Sequence, residues 1–179
     1  MKPENVLKFW FTGKGFQEWF FSKKPGLDAE IRRKFLKIYR AVVAGETAEW
    51  RKTPRGRLAE IIVLDQFSRN MFRGTAEMYR YDALALALAQ DAIAAKADRK
   101  LTKNERMFMY LPFEHSESRK IQKESLRLFK QIWPKDTLKY AIDHKKIVDR
   151  FGRFPHRNYI LGRKSTSSEK KFMRTHKGY

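Results

Sequence analysis

The sequence lacks cysteine altogether. This absence excludes disulfide bonds, thiolate metal sites and a cysteine nucleophile, and it is typical of proteins in a reducing compartment. Apolar stretches such as Ile61–Leu64 are far too short to span a bilayer, and no long apolar run follows Met1–Asn5. We therefore expect a cytoplasmic protein with neither a signal peptide nor a membrane span.

Several catalytic signatures are missing as well. The chain contains no G-x-S-x-G motif, no H-E-x-x-H motif and no glycine-rich phosphate-binding loop. The spacing of its histidines matches no recognised set of metal ligands. The sequence therefore predicts no metal ion and no cofactor, and it leaves open whether the protein is an enzyme.

Acidic side chains are scarce. Lysine and arginine together number 40, against 20 aspartate and glutamate residues, which gives a net charge of +20 at pH 7. A field of this sign attracts nucleic acids and other polyanions. One predicted helix could follow a phosphate backbone with the basic residues on its outer face, namely Lys120, Lys123, Arg127 and Lys130. A solvated, highly charged surface explains the same pattern equally well.

Apolar residues recur every three to four positions through most of the chain, which is typical of α-helices. After two aromatic segments, Val6–Trp10 and Phe16–Phe20, the predicted helices cover approximately residues 28–45, 54–68, 75–95, 102–110, 117–133, 135–151 and 166–173. No segment alternates in the manner of a β-strand. The sequence predicts a single all-α domain over residues 1–179, with seven to nine helices in antiparallel pairs.

Capping signals mark several of these helix starts. Thr53 precedes a proline that suits the first helical position, and Thr102 and Thr166 are each followed three residues later by a glutamate. The latter two pairs predict capping boxes. Pro112 is expected to begin a turn, because proline interrupts a helix interior.

Two segments are unusually rich in polar side chains. PFEHSES at Pro112–Ser118 places two glutamates and a histidine within four residues, namely Glu114, His115 and Glu117. FGRFPHRNYILGRKST at Phe151–Thr166 concentrates donors on a turn containing glycine and proline, namely Arg153, His156, Arg157, Asn158 and Arg163. We expect the two segments to meet in space and to form a site.

Two further polar residues lie on otherwise apolar helical stripes. Asp65 continues the stripe that begins at Leu58, and His144 shares a stripe with Ala141 and Val148. Both side chains are therefore expected to point into the core. A buried carboxylate is costly unless it is paired, so arginines of the Phe151–Thr166 segment are the expected partners of Asp65.

These motifs also resemble a known family. The chain is similar to the bacterial domain-of-unknown-function family DUF924 over four stretches, namely VLKFWF at Val6–Phe11, LDQFSRNMFRG at Leu64–Gly74, PFEHSES at Pro112–Ser118 and HKKIVDRFGRFPHRNYILGRKST at His144–Thr166. The resemblance implies a tetratricopeptide-repeat-like, right-handed superhelix of helix pairs. It implies no reaction, because none is established for the family.

The inward residues, the two polar segments and the family motifs together define the predicted ligand-binding set. Its members are Asp65, Arg69, Asn70, Glu114, His115, Glu117, His144, Arg153, His156, Arg157, Asn158 and Arg163. The catalytic residues, if there are any, stay unassigned.

Four interpretations of this set are open. The first is a binding module whose arginines hold a small anionic ligand or an acidic peptide. The second is a hydrolase-type enzyme in which His115 paired with Glu117, or His144 paired with Asp65, transfers protons. Nucleic-acid binding through the basic surface is the third. The fourth is a buried network that only fixes helix register.

Overall fold

The computed structural model describes residues 1–12, 25–132, 135–176 and 178. Its α-helices are α1 (Pro3–Thr12), α2 (Pro25–Val43), α3 (Pro54–Ile62), α4 (Ser68–Met71), α5 (Asp82–Ala94), α6 (Lys103–Glu114), α7 (Arg119–Phe129), α8 (Lys135–Phe151) and α9 (Ser167–Met173). Short 3₁₀ turns lie at Ala48–Lys52, Ala76–Tyr79, Ala97–Lys100 and Pro155–Arg157. No strand occurs in these ranges, so the all-α prediction is confirmed; the right-handed superhelix stays a prediction.

The predicted capping signals begin three of these helices. The Thr53 side chain accepts a hydrogen bond from the backbone N–H of Gly56 at the start of α3. Thr102 and Thr166 each form a complete capping box with the glutamate three residues later, at α6 and α9. Each box satisfies backbone N–H groups that would otherwise lack a partner at the helix start.

Two predicted helix boundaries are wrong. Thr75 precedes the 3₁₀ turn Ala76–Tyr79, and α5 begins only at Asp82. Pro112 does not start a turn but lies inside α6, which continues to Glu114. Proline removes one backbone hydrogen bond, but its φ of about −65° is helical. Burial of Leu111, Pro112 and Phe113 favours continuing the helix into the core.

The helix that the periodicity predicts to end near Ser68 continues to Met71. Between α3 and α4 it passes through one π-helical turn, Val63–Phe67. All five residues of this turn are buried. A π turn inserts an extra residue and changes the direction of the side chains that follow it, and such turns are frequent at functional sites. Asp65 lies in the middle of it.

The core surrounds α3, which contacts α1, α5 and α6, while α6, α7 and α8 pack in sequence. Trp10 of α1 packs edge-on against Phe67 and Phe108, with ring centroids 5.6 and 5.5 Å away. The buried alanines of α5, Ala85, Ala89 and Ala92, allow close approach to its neighbours. The aromatic segment Phe16–Phe20 and Trp133 lie outside the described residues. No described helix is long and apolar enough to cross a membrane.

Candidate functional site

Asp65 anchors the site from the π-helical turn, and only 1% of its surface is exposed. Its Oδ1 lies 2.7 Å from Nδ1 of His115 and 3.2 Å from Nη1 of Arg69. Gln66 donates from its amide to the other carboxylate oxygen. Although burial opposes ionisation, the charge of Arg69 and the bond to His115 hold the pKa of Asp65 well below its usual range. The inward direction predicted for this residue is confirmed. Its predicted partners are wrong, because Arg69 and His115 contact the carboxylate instead of His144 and an arginine of the Phe151–Thr166 segment.

His115, the residue after α6, is fixed by this carboxylate. Burial and the nearby Arg69 guanidinium lower the pKa of His115, and they outweigh the opposing effect of Asp65. The ring is therefore neutral at pH 7 and carries a single proton. Because an ionised Asp65 can only accept, that proton must lie on Nδ1, and Nε2 carries a lone pair.

A second acid–imidazole pair lies beside the first. Glu114 and His144 are 4% and 5% exposed, and Oε1 of Glu114 is 3.3 Å from Nδ1 of His144. The same Nδ1 lies 2.9 Å from the carbonyl oxygen of Tyr140. Burial, reinforced by the negative charge of Asp65, raises the pKa of Glu114 to about 8. Burial also lowers the pKa of His144 to about 3, so both groups are neutral at pH 7.

Arg157 is the most constrained of the predicted arginines. Its guanidinium carbon lies 4.5 Å from the centroid of the Tyr79 ring and 4.6 Å from that of Phe154. It donates from Nη1 to Asp82 at 3.2 Å and from Nη2 to the carbonyl oxygen of His115 at 3.0 Å. Only 6% of the residue is exposed, so the plane of this cation is held in one orientation.

Glu117 and Arg163 join the two polar segments, as the sequence predicts. Arg163 donates to both carboxylate oxygens of Glu117, at 2.7 and 3.0 Å. Glu117 also accepts from the backbone N–H of Phe154 at 2.7 Å. This two-point pairing holds the turn that carries Arg157 against the end of α6.

The two polar segments, Pro112–Ser118 and Phe151–Thr166, line a cavity of about 350 Å³ together with residues 76–86. This size is typical of small-ligand sites. Its polar lining consists of Tyr79, Arg80, Asp82, His115, Ser116, Glu117 and Arg157. An apolar wall completes it, formed by Ala76, Ala83, Leu86, Pro112 and Leu161. The cavity thus offers charged donors, a neutral imidazole and a hydrocarbon surface to a ligand.

Residues 6–177 match the model of a family described as "Bacterial protein of unknown function (DUF924)". The chain belongs to this family. A solved structure, the Protein of Unknown Function ATU0120 from Agrobacterium tumefaciens, is 36% identical over 97% of each chain, with a TM-score of 0.92. No curated protein matches the chain. These similarities support the helical fold and assign no activity.

The structure of this DUF924 protein places several members of the predicted set away from the cavity lining. Arg153 pairs with Glu169 of α9 at 2.7 and 2.9 Å, and thereby attaches the last helix to the turn after α8. Asn70 donates to Asp28 of α2 at 2.7 Å, in a separate network.

Two more members of the predicted set, Asn158 and His156, stabilise the turn that carries Arg157 and do not line the cavity. Asn158 is fully buried and donates to the Ser165 hydroxyl at 3.1 Å. His156 is half-buried, with its ring centroid 5.7 Å from that of Phe154, and burial lowers its pKa to about 4. Both residues therefore contribute to the shape of the turn that presents Arg157.

Sequence reasoning missed two members of the candidate site, Tyr79 and Asp82. Asp82 receives hydrogen bonds from both Arg69 and Arg157, at 3.0 and 3.2 Å. Asp82 is the first residue of α5. Carboxylates are common at helix N-termini, so its position in the sequence does not indicate a functional role. Tyr79 ends a 3₁₀ turn that the periodicity did not resolve.

Proposed function

We propose that this DUF924 protein binds a small ligand with an anionic group in the cavity lined by His115 and Arg157. The observation that carries the proposal is the fixed guanidinium of Arg157 at the cavity wall. A guanidinium has five N–H bonds, and the bonds to Asp82 and to the His115 carbonyl oxygen use one hydrogen of each Nη, which leaves one on each for a ligand. Donors of this kind recognise carboxylate and phosphate groups.

The carboxylates of the lining do not cancel this preference, because arginines already bind them. Asp82 receives bonds from Arg69 and Arg157, and Glu117 is paired with Arg163. Arg80 also lines the cavity, with 65% of its side chain exposed, and its pairing with Glu77 lies in solvent. Exposed pairs are weak, so Arg80 remains free to exchange Glu77 for an incoming anion.

Long-range charge supports the same ligand class. The net charge of +20 raises the local concentration of anions around the whole molecule. The cavity volume of about 350 Å³ suits a small molecule better than an extended peptide. The apolar wall at Ala83, Leu86 and Leu161 would contact a hydrocarbon part of the ligand.

Titration with inorganic phosphate and with acetate tests the proposal. The chain contains four histidines, so protein with ¹³C-labelled histidine gives few imidazole signals, and the His115 signal is assigned by its loss in His115→Gln. We expect saturable displacement of that signal by at least one of the two anions. Arg80→Ala should weaken binding about tenfold, the loss of roughly one charge-assisted hydrogen bond at a partly exposed site.

Arg127→Ala is the matched control, because Arg127 is an exposed arginine of α7 paired with Glu124 and does not line the cavity. It should bind the anions as the wild type does. If Arg80→Ala and Arg127→Ala weakened binding equally, the anions would be responding to overall charge. If neither anion displaced the His115 signal, the cavity would not be an anion site.

A further inference from the structure

We propose that His115 acts as the base of this cavity, accepting a proton at Nε2 from a hydroxyl group of the bound anionic ligand or from water beside it, with Asp65 as the residue that positions it. This inference rests on the proposed function, because it assigns chemistry to the same cavity. It concerns proton transfer, in which an O–H bond breaks, an N–H bond forms and the imidazole becomes positively charged.

The geometry that carries the inference is the contact between Asp65 and His115. The 2.7 Å distance between Oδ1 and Nδ1 fixes both the ring orientation and the tautomer. His115 lines the cavity and 14% of its side chain is exposed, so we infer that the Nε2 lone pair is accessible to a ligand there. A base needs a second group to orient it, and Asp65 supplies that function from a buried, immobile position.

The groups around His115 keep the resting imidazole neutral and leave negative charge close to it. Burial and the charge of Arg69 lower the pKa of His115. Negative charge faces the ring from two other elements, namely Asp65 in the π-helical turn and Asp82 on α5. Arg157 binds the His115 carbonyl oxygen, and the ring centroid of His144 lies 6.3 Å away. The resting state is thus the proton acceptor, and Asp65 stabilises the protonated form.

The π-helical turn gives an independent reason to assign a chemical function. A regular α-helix through Val63–Phe67 would keep the ordinary hydrogen-bonding pattern, so the π turn is an irregular geometry maintained within the core. It places the ionised carboxylate of Asp65 in a buried position. Arg69 alone could neutralise that charge, yet Oδ1 of Asp65 lies closer to Nδ1 of the neutral His115, at 2.7 Å, than to Nη1 of Arg69, at 3.2 Å.

Modification by diethyl pyrocarbonate, followed site by site with mass spectrometry, tests the inference. The Nε2 lone pair attacks a carbonyl carbon of the reagent, a C–N bond forms, and ethyl carbonate leaves and decomposes to ethanol and carbon dioxide. The imidazolium then loses its Nδ1 proton. We expect His115 to react faster than His144, which is 5% exposed and serves as the internal control. Saturating phosphate should slow the reaction at His115.

The variant Asp65→Asn separates positioning from access. Its amide can donate to Nδ1 as well as accept from it, so the proton is no longer held on Nδ1. The rate at His115 should therefore fall about tenfold or more, as expected when an orienting carboxylate is removed. Should this variant fail to fold, ¹⁵N long-range correlation of the wild-type imidazole gives the same information. It should show Nε2 unprotonated and Nδ1 protonated at pH 7.

The outcomes distinguish this inference from the proposed function. An unreactive His115 in a protein that still binds phosphate through Arg80 would overturn the base and leave the binding site intact. A proton on Nε2, or an unchanged rate in a folded Asp65→Asn protein, would overturn the positioning by Asp65. If His115 were reactive but neither phosphate nor acetate shifted its signal or slowed its modification, the binding site on which the inference rests would be refuted.

Discussion

Glu114 should make the protein less stable as the pH rises above neutrality. Its carboxyl group is buried beside the neutral His144 and near the charge of Asp65, and its pKa is raised from 4.5 to about 8. Between these two values the folded protein holds a proton that the unfolded chain has released. Folding then takes up a proton, so the free energy of unfolding falls as the pH increases.

The magnitude follows from the two pKa values. For one group with a folded pKa of about 8, linkage gives a loss of about 1.4 kcal/mol between pH 7 and pH 9, and about 2.7 kcal/mol between pH 6 and pH 9. His144 does not interfere in the upper part of this range, because its pKa is lowered from 6.5 to about 3. Its contribution to stability is lost only as the pH falls below about 6.5, so it is constant above pH 7.

The variant Glu114→Gln removes the titration and keeps the shape of the side chain. We expect its free energy of unfolding, measured with urea and circular dichroism, to stay level from pH 7 to pH 9 relative to the falling wild type. Glu124→Gln is the control, because Glu124 is paired with Arg127 on the surface and its pKa is lowered. Parallel curves for the wild type and Glu114→Gln would mean that Glu114 is already ionised at pH 7, and the reasoning from burial would be wrong.

Two further predictions concern stability. Arg163→Ala should destabilise the fold by about 1.5–3 kcal/mol in urea unfolding, since it leaves the half-buried Glu117 without its two-point partner. The control Arg127→Ala should change stability by less than about 0.5 kcal/mol, and equal effects would contradict a stabilising role of the Glu117–Arg163 pair. Raising NaCl from low to moderate concentration should raise the melting temperature, because screening reduces self-repulsion in a chain of net charge +20, and a falling melting temperature would show that ion pairs dominate instead.

Local rules predicted the helices well, and the exceptions have physical causes. The start of α5 was placed too early because Thr75 is a good cap in sequence, whereas the chain forms a 3₁₀ turn before Asp82. The π-helical turn was invisible because its residues keep a helical apolar pattern. A one-residue insertion in hydrogen bonding depends on tertiary packing, and periodicity does not measure it.

The sequence predicts many of the polar residues of the candidate site, but it does not predict which of them form hydrogen bonds with each other. The sequence indicated that Asp65 points inward and that an arginine of the Phe151–Thr166 segment neutralises it. In the structure Arg69, four residues along the same helix, takes that place, and Arg157 binds Asp82 instead. Partners brought together from positions 75 residues apart, as Asp82 and Arg157 are, depend on how α5 and the last turn pack.

The choice between a ligand site and a network that only holds helices together turns on which polar groups are satisfied. A network kept for helix register should leave few buried polar atoms without partners. Among the described residues, the outer pairs of Arg153 with Glu169 and of Asn70 with Asp28 meet this expectation. At the cavity, Oδ1 of Asp82 and Nε of Arg157 are buried with no hydrogen bond from those residues, and the supporting residues Asn158 and Arg163 each have one such atom as well.

A buried acceptor and a buried donor that lack hydrogen bonds lower the stability of the folded protein. A bound molecule or a water that supplies the missing hydrogen bonds removes this loss. Asp82 and Arg157 share one hydrogen bond, so the unmet acceptor and the unmet donor belong to one ion pair at the cavity wall. That pair lies in the same lining as an oriented, neutral histidine, and the combination favours a ligand site over a purely structural network.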